Sequence, residues 1–192
     1  MRSSRRVALG LSLPVLLLAL PAAARACEGV SMPDQVTVDT TKLVLNGMGL
    51  REATVFNVNV YVAALYLLKR SSDGEKIAAA EEPKQMRIQF MRNVSKSDMA
   101  EALQKSFLQA AGDNYGKLKK RVERLLAMLP EFKSGDLFTI TYRPGNGLEL
   151  KSRSASTTIE GADFARALFL IWLGKHPPNA GLKKGLLGGE CG

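Results

Sequence analysis

The sequence predicts an α+β domain in which helices gather on one side of an antiparallel sheet. Three observations predict it: several runs of alternating apolar and polar residues bounded by turn signals, two stretches with apolar residues three and four apart, and the order strands, helices, strands, helix.

The first β region runs from Gln35 to Leu68. "QVTVDTTKLVLNG" alternates, Asn46-Gly47 reads as a tight turn, and "NVNVYVAALYLL" is rich in valine and aromatic residues. A further strand is predicted in "QMRIQFMRNV" (85–94), with Met86, Ile88 and Phe90 on one face and Arg87, Gln89 and Met91 on the other. Ser95 then has the chemistry of an N-cap, with Asp98 three residues on. Met99, Ala102, Leu103, Phe107 and Leu108 follow at helical spacing. Tyr115, Leu118, Val122, Leu125, Leu126 and Leu129 mark a second amphipathic helix that Pro130 stops. The chain returns to β at "DLFTITYR", turns at Pro144-Gly145-Asn146-Gly147, and continues through two short strands to Ile159. Finally "ADFARALFLIWLGK" is apolar all round and contains the single tryptophan, Trp172. Such a helix is predicted to be buried.

At the N-terminus, Arg2, Arg5 and Arg6 precede an apolar run from Val7 to Leu20 and a small-residue segment ending Ala24-Arg25-Ala26. This is the pattern of a cleaved signal peptide over residues 1–26, with residues 27–192 as a single domain in the periplasm. The apolar run is short for a membrane span, and no later stretch is long and charge-free enough to be one. The formal net charge of +9 falls to +5 in a chain from Cys27, with 23 basic against 18 acidic residues. Only "KLKKRVER" (117–124) is densely basic, which reads as a solvated helix face, so no nucleic-acid partner is expected.

The two cysteines, Cys27 and Cys191, lie near opposite ends of that domain. In an oxidising compartment they are candidates for a disulfide, which would stabilise by roughly 4 to 5 kcal/mol in the chain-entropy model. The alternative is a lipid anchor at Cys27, with Arg25 an unfavourable neighbour for such processing. His176 is the single histidine and is expected at the surface, so a multi-histidine metal site has no second imidazole. There is no G-x-S-x-G, no G-x-G-x-x-G and no P-loop. No cofactor and no metal are therefore expected.

What remains is "GLREATVFNVNVYVAALYL" (49–67). A hairpin centred on Phe56 pairs Arg51 with Tyr61 and Ala53 with Asn59, placing Arg51, Tyr61 and Asn59 on one face, with Asn57 near the turn. Val58, Val60 and Val62 then take the other face. A guanidinium and a phenol converging at the end of an apolar cavity suit a carboxylate or an enolate. The alternative is a purely structural pair at the sheet rim.

The segments "LVLNGMGLREATVFNVNVYVAALYLLK", "MRIQFMRNVS", "FKSGDLFTITYRPGNGLEL" and "ALFLIWLGKHPPNAGLKKGLLG" together resemble the chalcone isomerase-like family, in particular its exported bacterial branch. The resemblance spans about Thr37 to Gly188. It implies a curved antiparallel sheet packed by a layer of helices, with a cleft between them. Arg51 matches the catalytic arginine of the plant isomerases, whereas Tyr61 stands where those enzymes carry a threonine. Their helical tyrosine and asparagine have no counterparts at the required spacing, since Asn114 and Tyr115 are adjacent. The arginine-plus-tyrosine pair is similar to the fatty-acid-binding members of the fold, which hold a carboxylate without isomerisation.

The expected function is thus a non-catalytic exported protein binding a small amphipathic carboxylate, such as a fatty acid, or an aromatic ligand, through Arg51, Tyr61 and Asn59. One alternative is a cofactor-free intramolecular lyase or isomerase in which Arg51 and Tyr61 stabilise a developing oxyanion. The other is a structural envelope accessory in which Trp172 and its helix serve as core alone.

Overall fold

The computed structural model describes residues 24–53 and 58–191. Its strands and helices, in chain order, are β1 (Ala24–Cys27), β2 (Val30–Pro33), β3 (Gln35–Val38), β4 (Thr41–Ala53), β5 (Val58–Leu67), α1 (Gly74–Ala79), β6 (Lys84–Phe90), α2 (Lys96–Ala111), α3 (Tyr115–Met128), β7 (Leu137–Arg143), β8 (Gly147–Lys151), β9 (Ser156–Ile159), α4 (Ala162–Leu173) and α5 (Ala180–Leu186). A single 3₁₀ turn, Gly112–Asn114, joins α2 to α3.

Strands β3 to β9 form one antiparallel sheet in simple sequential order, and among the described residues β1 pairs with β2 alone. One face of the sheet, including Tyr61, Ala63, Leu65, Met86, Ile88 and Phe90, joins the helices in the main core. The opposite face of β4 and β5, including Leu43, Leu45, Val62 and Tyr66, packs beneath the β1–β2 hairpin in a second, smaller core. The sheet is curled: Asp39, in the turn after β3, makes an ion pair of 3.0 Å with Arg143 on β7, four strands away in the sheet order.

Three of the helices, α2, α3 and α4, form where the sequence places them. Ser95 Oγ accepts from the Asp98 amide at 3.1 Å and starts α2. Leu118, Val122 and Leu125 bury one face of α3, and Leu129 caps it before Pro130. Eight residues of α4, Trp172 among them, are buried because α1 and α2 pack on it as well as the sheet.

Two sequence expectations are corrected. Asn46-Gly47 is not a turn: the chain turns after Val38, and β4 runs straight through with a register shift between Leu45 and Gly47. Asn46 is instead buried, its amide bonding Ser71 and the Leu186 carbonyl at 2.7 Å. Ala53 pairs with Val58 rather than Asn59, because a second shift follows the Arg51–Tyr61 pair and sets Asn59 opposite Glu52. The expected hairpin centre at Phe56, with Asn57, lies outside the described residues, as does most of the expected signal peptide. β1 begins at Ala24, so the expected cleavage point before Cys27 falls within that strand.

The tail past Trp172 contains helix α5, which lies directly on β4. A Cβ on Gly49 would stand 2.2 Å from the Leu182 carbonyl oxygen, and one on Gly185 2.2 Å from that of Met48. The glycines of "LNGMGLRE" and "LKKGLLG" are therefore two halves of one backbone-to-backbone contact. Beyond α5, Cys191 returns to Cys27 and bonds to it, with 5.8 Å between Cα atoms. This disulfide joins the outer hairpin to the segment that follows the inner helix, and it is compatible with an oxidising compartment. Among the described residues no helix is long and apolar enough to cross a membrane.

Candidate functional site

Arg51 ends the part of β4 that α5 covers, and the sheet register sets it directly opposite Tyr61 on β5, which in turn faces Phe90 on β6. Both side chains line a cleft of about 600 Å³ between the sheet, α2, the end of α4 and the loop His176–Pro178. The volume is within the range of small-molecule sites.

The apolar wall comes from Val60, Phe90, Met99, Leu103, Ile171 and Trp172. Phe90 is fixed from behind by a stack on Phe132, with centroids 4.1 Å apart, and Tyr61 meets the Phe90 ring edge-on at 5.9 Å. The α2 side of the cleft is mixed in character, with Asp98, Glu101, Lys105 and Ser106 among its lining residues.

Two features set the polar end. Trp172 Nε1 donates to the Tyr61 hydroxyl at 3.0 Å. The hydroxyl accepts this bond and keeps its own proton to donate. Burial pushes the Tyr61 phenol up to about 12, against smaller opposing effects of the Trp172 hydrogen bond and the nearby Arg51 charge. Tyr61 is thus a neutral donor at every physiological pH. Arg51, for its part, has Nη1 buried with no hydrogen-bond partner among the described residues. A buried donor of this kind is costly to leave unmade, and a ligand oxygen arriving in the cleft would satisfy it.

Of the residues expected on the ligand face, Arg51 and Tyr61 come together and Asn59 does not join them. Asn59 is half-buried and does not line the cleft, whereas Val60, expected on the far face, does. The register shift after Arg51 causes the exchange: one extra residue on β5 turns Val60 to the cleft side. Trp172, His176 and the two prolines after it also line the cleft without having been singled out for it. Trp172 left one signal: a buried indole N–H needs an acceptor, and its own helix offered none. Asn179 anchors the loop by donating from Nδ2 to the Leu50 carbonyl at 3.1 Å, next to Arg51 in the chain. Among the described residues no group of three or more His, Cys, Asp or Glu side chains could hold a metal ion.

Against known proteins, no curated protein matches the chain. Among solved structures it is similar to AtFAP1, described as a fatty-acid binding protein of Arabidopsis thaliana, with a TM-score of 0.72 at 14% identity, covering 86% of this chain and 96% of that one. At that identity the likeness is one of fold, and it shows the curled antiparallel sheet with its helices. Residues 24–188 match the family model described as chalcone isomerase-like. The match takes in the whole sheet and every helix around the Arg51–Tyr61 cleft, and the chain belongs to the chalcone isomerase-like family.

Proposed function

We propose that this protein binds a small amphipathic carboxylate, such as a fatty acid, without transforming it, and that Arg51 and Tyr61 hold the head group. The observation that carries the reading is the buried, unpartnered Arg51 Nη1 beside a phenol with a proton free to donate. A carboxylate accepts from both donors at once, and Val60, Phe90, Met99 and Leu103 supply an apolar wall for the hydrocarbon part. The fatty-acid binding described for AtFAP1, on the same fold, supports the same ligand class.

We also propose export to the periplasm, in the manner of the exported bacterial branch of the family, with residues 1–26 as the signal peptide and residues 27–192 as the mature domain. The Cys27–Cys191 bond supports an oxidising destination, and it occupies the thiol that a lipid anchor at Cys27 would need.

The test is mass spectrometry, native and then denaturing, of protein gently extracted from cells. A carboxylic acid that co-purifies with the wild type and is absent from a folded Arg51→Ala variant supports the reading. An acid retained by Arg51→Ala contradicts it.

A further inference from the structure

The face of the sheet opposite the cleft carries a second concavity, a trough of about 660 Å³ over β6, β7 and β8. Three of the five buried polar or charged residues of the described chain, Gln85, Thr141 and Ser152, line it. An ordinary solvated sheet face has no need of a buried polar network, which is costly to build unless its members are satisfied.

The register arranges the trough in two cross-strand rows. One reads Tyr66, Gln85, Thr141, Glu149, and the other Ala64, Arg87, Thr139, Lys151, across β5 to β8. In the first row Gln85 Nε2 donates to Thr141 Oγ1 at 2.8 Å, and Gln85 Oε1 accepts from Arg87 Nε at 2.8 Å. The guanidinium also lies over the Tyr66 ring, 5.6 Å from its centroid. Arg87 is thereby held in place through Nε alone, and its outer fork of Nη donors makes no ion pair among the described residues.

The neighbouring cations differ. Arg143 is tied to Asp39 and Glu149, and Arg153 approaches Asp136. Lys151, two strands from Arg87 with Thr139 between them, makes no ion pair among the described residues either. Two strand spacings set the Arg87 and Lys151 backbones roughly 10 Å apart, within reach of both side chains converging above the Thr139 hydroxyl.

We propose that this trough is a second binding site, for a hydrophilic carboxylate bearing hydroxyl groups, the chemistry of an acidic sugar. Arg87 takes the carboxylate through its free fork, Lys151 adds a second charge, and Thr139 a hydroxyl. The carboxylates of Asp39, Asp136 and Glu149 at the rim repel the double charge of a phosphate dianion more than the single charge of a carboxylate, and they accept from the hydroxyls of a sugar. The site is independent of the Arg51 cleft, which opens on the other face.

The test is a titration of the intact protein with D-glucuronate, followed by backbone amide NMR, with D-glucose and inorganic phosphate as comparison probes. Shifts centred on Arg87, Thr139 and Lys151 are expected for glucuronate, with little response to the other two. Arg87→Ala, and separately the exposed Lys151→Ala, are expected to weaken glucuronate binding about tenfold or more, while Arg51→Ala leaves it unchanged. No saturable shift in the trough, equal affinity in both trough variants, or phosphate binding as tight as glucuronate would each overturn the proposal.

Discussion

Trp172 Nε1 and the Tyr61 hydroxyl, 111 positions apart in the chain, share a buried hydrogen bond of 3.0 Å. The bond decides which way the phenol works. With its lone pair engaged by the indole, the hydroxyl directs its proton elsewhere, and Arg51 across the strand pair is the charge nearest in register. An apolar core helix thus supplies a polar contact that orients a binding residue on the sheet.

Tyr61→Phe removes the acceptor and leaves a buried indole N–H unmade. The expected cost is about 1–3 kcal/mol of stability, read from urea unfolding, together with weaker carboxylate binding. Trp172→Phe should cost binding too, since the phenol loses the partner that orients it. A Trp172→Phe protein with unaltered ligand affinity would show that the bond is packing alone.

Gly49→Ala sets a methyl group 2.2 Å from a main-chain oxygen of α5, with no flexible side chain to yield. Overpacking of this kind costs about 1–3 kcal/mol or more, and α5 must shift off β4. Because Asn179 at the start of α5 holds the strand next to Arg51, carboxylate affinity should fall along with the unfolding midpoint. Gly116→Ala, where a Cβ meets nothing within 4 Å, serves as the control and should leave both unchanged or slightly improved.

Stability should depend on pH through Lys84. The side chain is buried, donates to the Ala80 carbonyl and lies over the Tyr142 ring at 4.6 Å. Burial lowers its pKa from 10.5 to about 8, against the opposing charges of Glu81 and Glu82. Between those values the unfolded chain binds the proton and the folded one does not, so stability rises with pH from about 8 to about 10.5. The tyrosines act oppositely: burial raises Tyr61 and Tyr66 from 10.0 to about 12, so their contribution is full below 10 and lost as pH climbs through 12. Urea midpoints measured from pH 7 to pH 9.5 should increase, and Lys84→Met should flatten that increase.

Reduction of the Cys27–Cys191 bond opens a loop of 164 residues. The chain-entropy model sets the loss at about 5 kcal/mol, visible as a lower denaturant midpoint in reductant. Cys27→Ser with Cys191→Ser should show the reduced midpoint with or without reductant. Equal midpoints for wild type in both conditions would remove the bond's stabilising role.

The fold was legible because its signals are local and mutually consistent. Ser95 and Pro130 bound a helical pair whose apolar spacing is unambiguous, and Met86, Ile88 and Phe90 alternate cleanly. The Arg51–Tyr61 pairing was legible too, since both lie in long β-forming runs and the even separation fixes a common face. Asn59 was misplaced because a register shift is a tertiary event: nothing in "NVNVY" marks Val60 as the extra residue. Asn46-Gly47 carries the strongest hairpin signal in the chain, yet packing overrides it. Gly47 is glycine because a Cβ would meet the Gly185 carbonyl oxygen at 2.1 Å, and the asparagine amide finds partners in a bulge. Helix α5 escaped notice because its seven residues include two glycines, and its reason for being helical is the strand beneath it. The trough is equally a product of register, since Gln85, Thr141 and Arg87 meet only once β6 and β7 are paired.

The most direct test of the central claim compares a long-chain fatty acid with its methyl ester by calorimetry, on delipidated wild type and on Arg51→Ala of confirmed fold. Arg51 as the head-group anchor predicts that wild type prefers the acid by about tenfold or more and that Arg51→Ala binds acid and ester alike. If the wild type fails to distinguish acid from ester, or if Arg51→Ala keeps the preference, the carboxylate is held elsewhere and Arg51 is not its anchor.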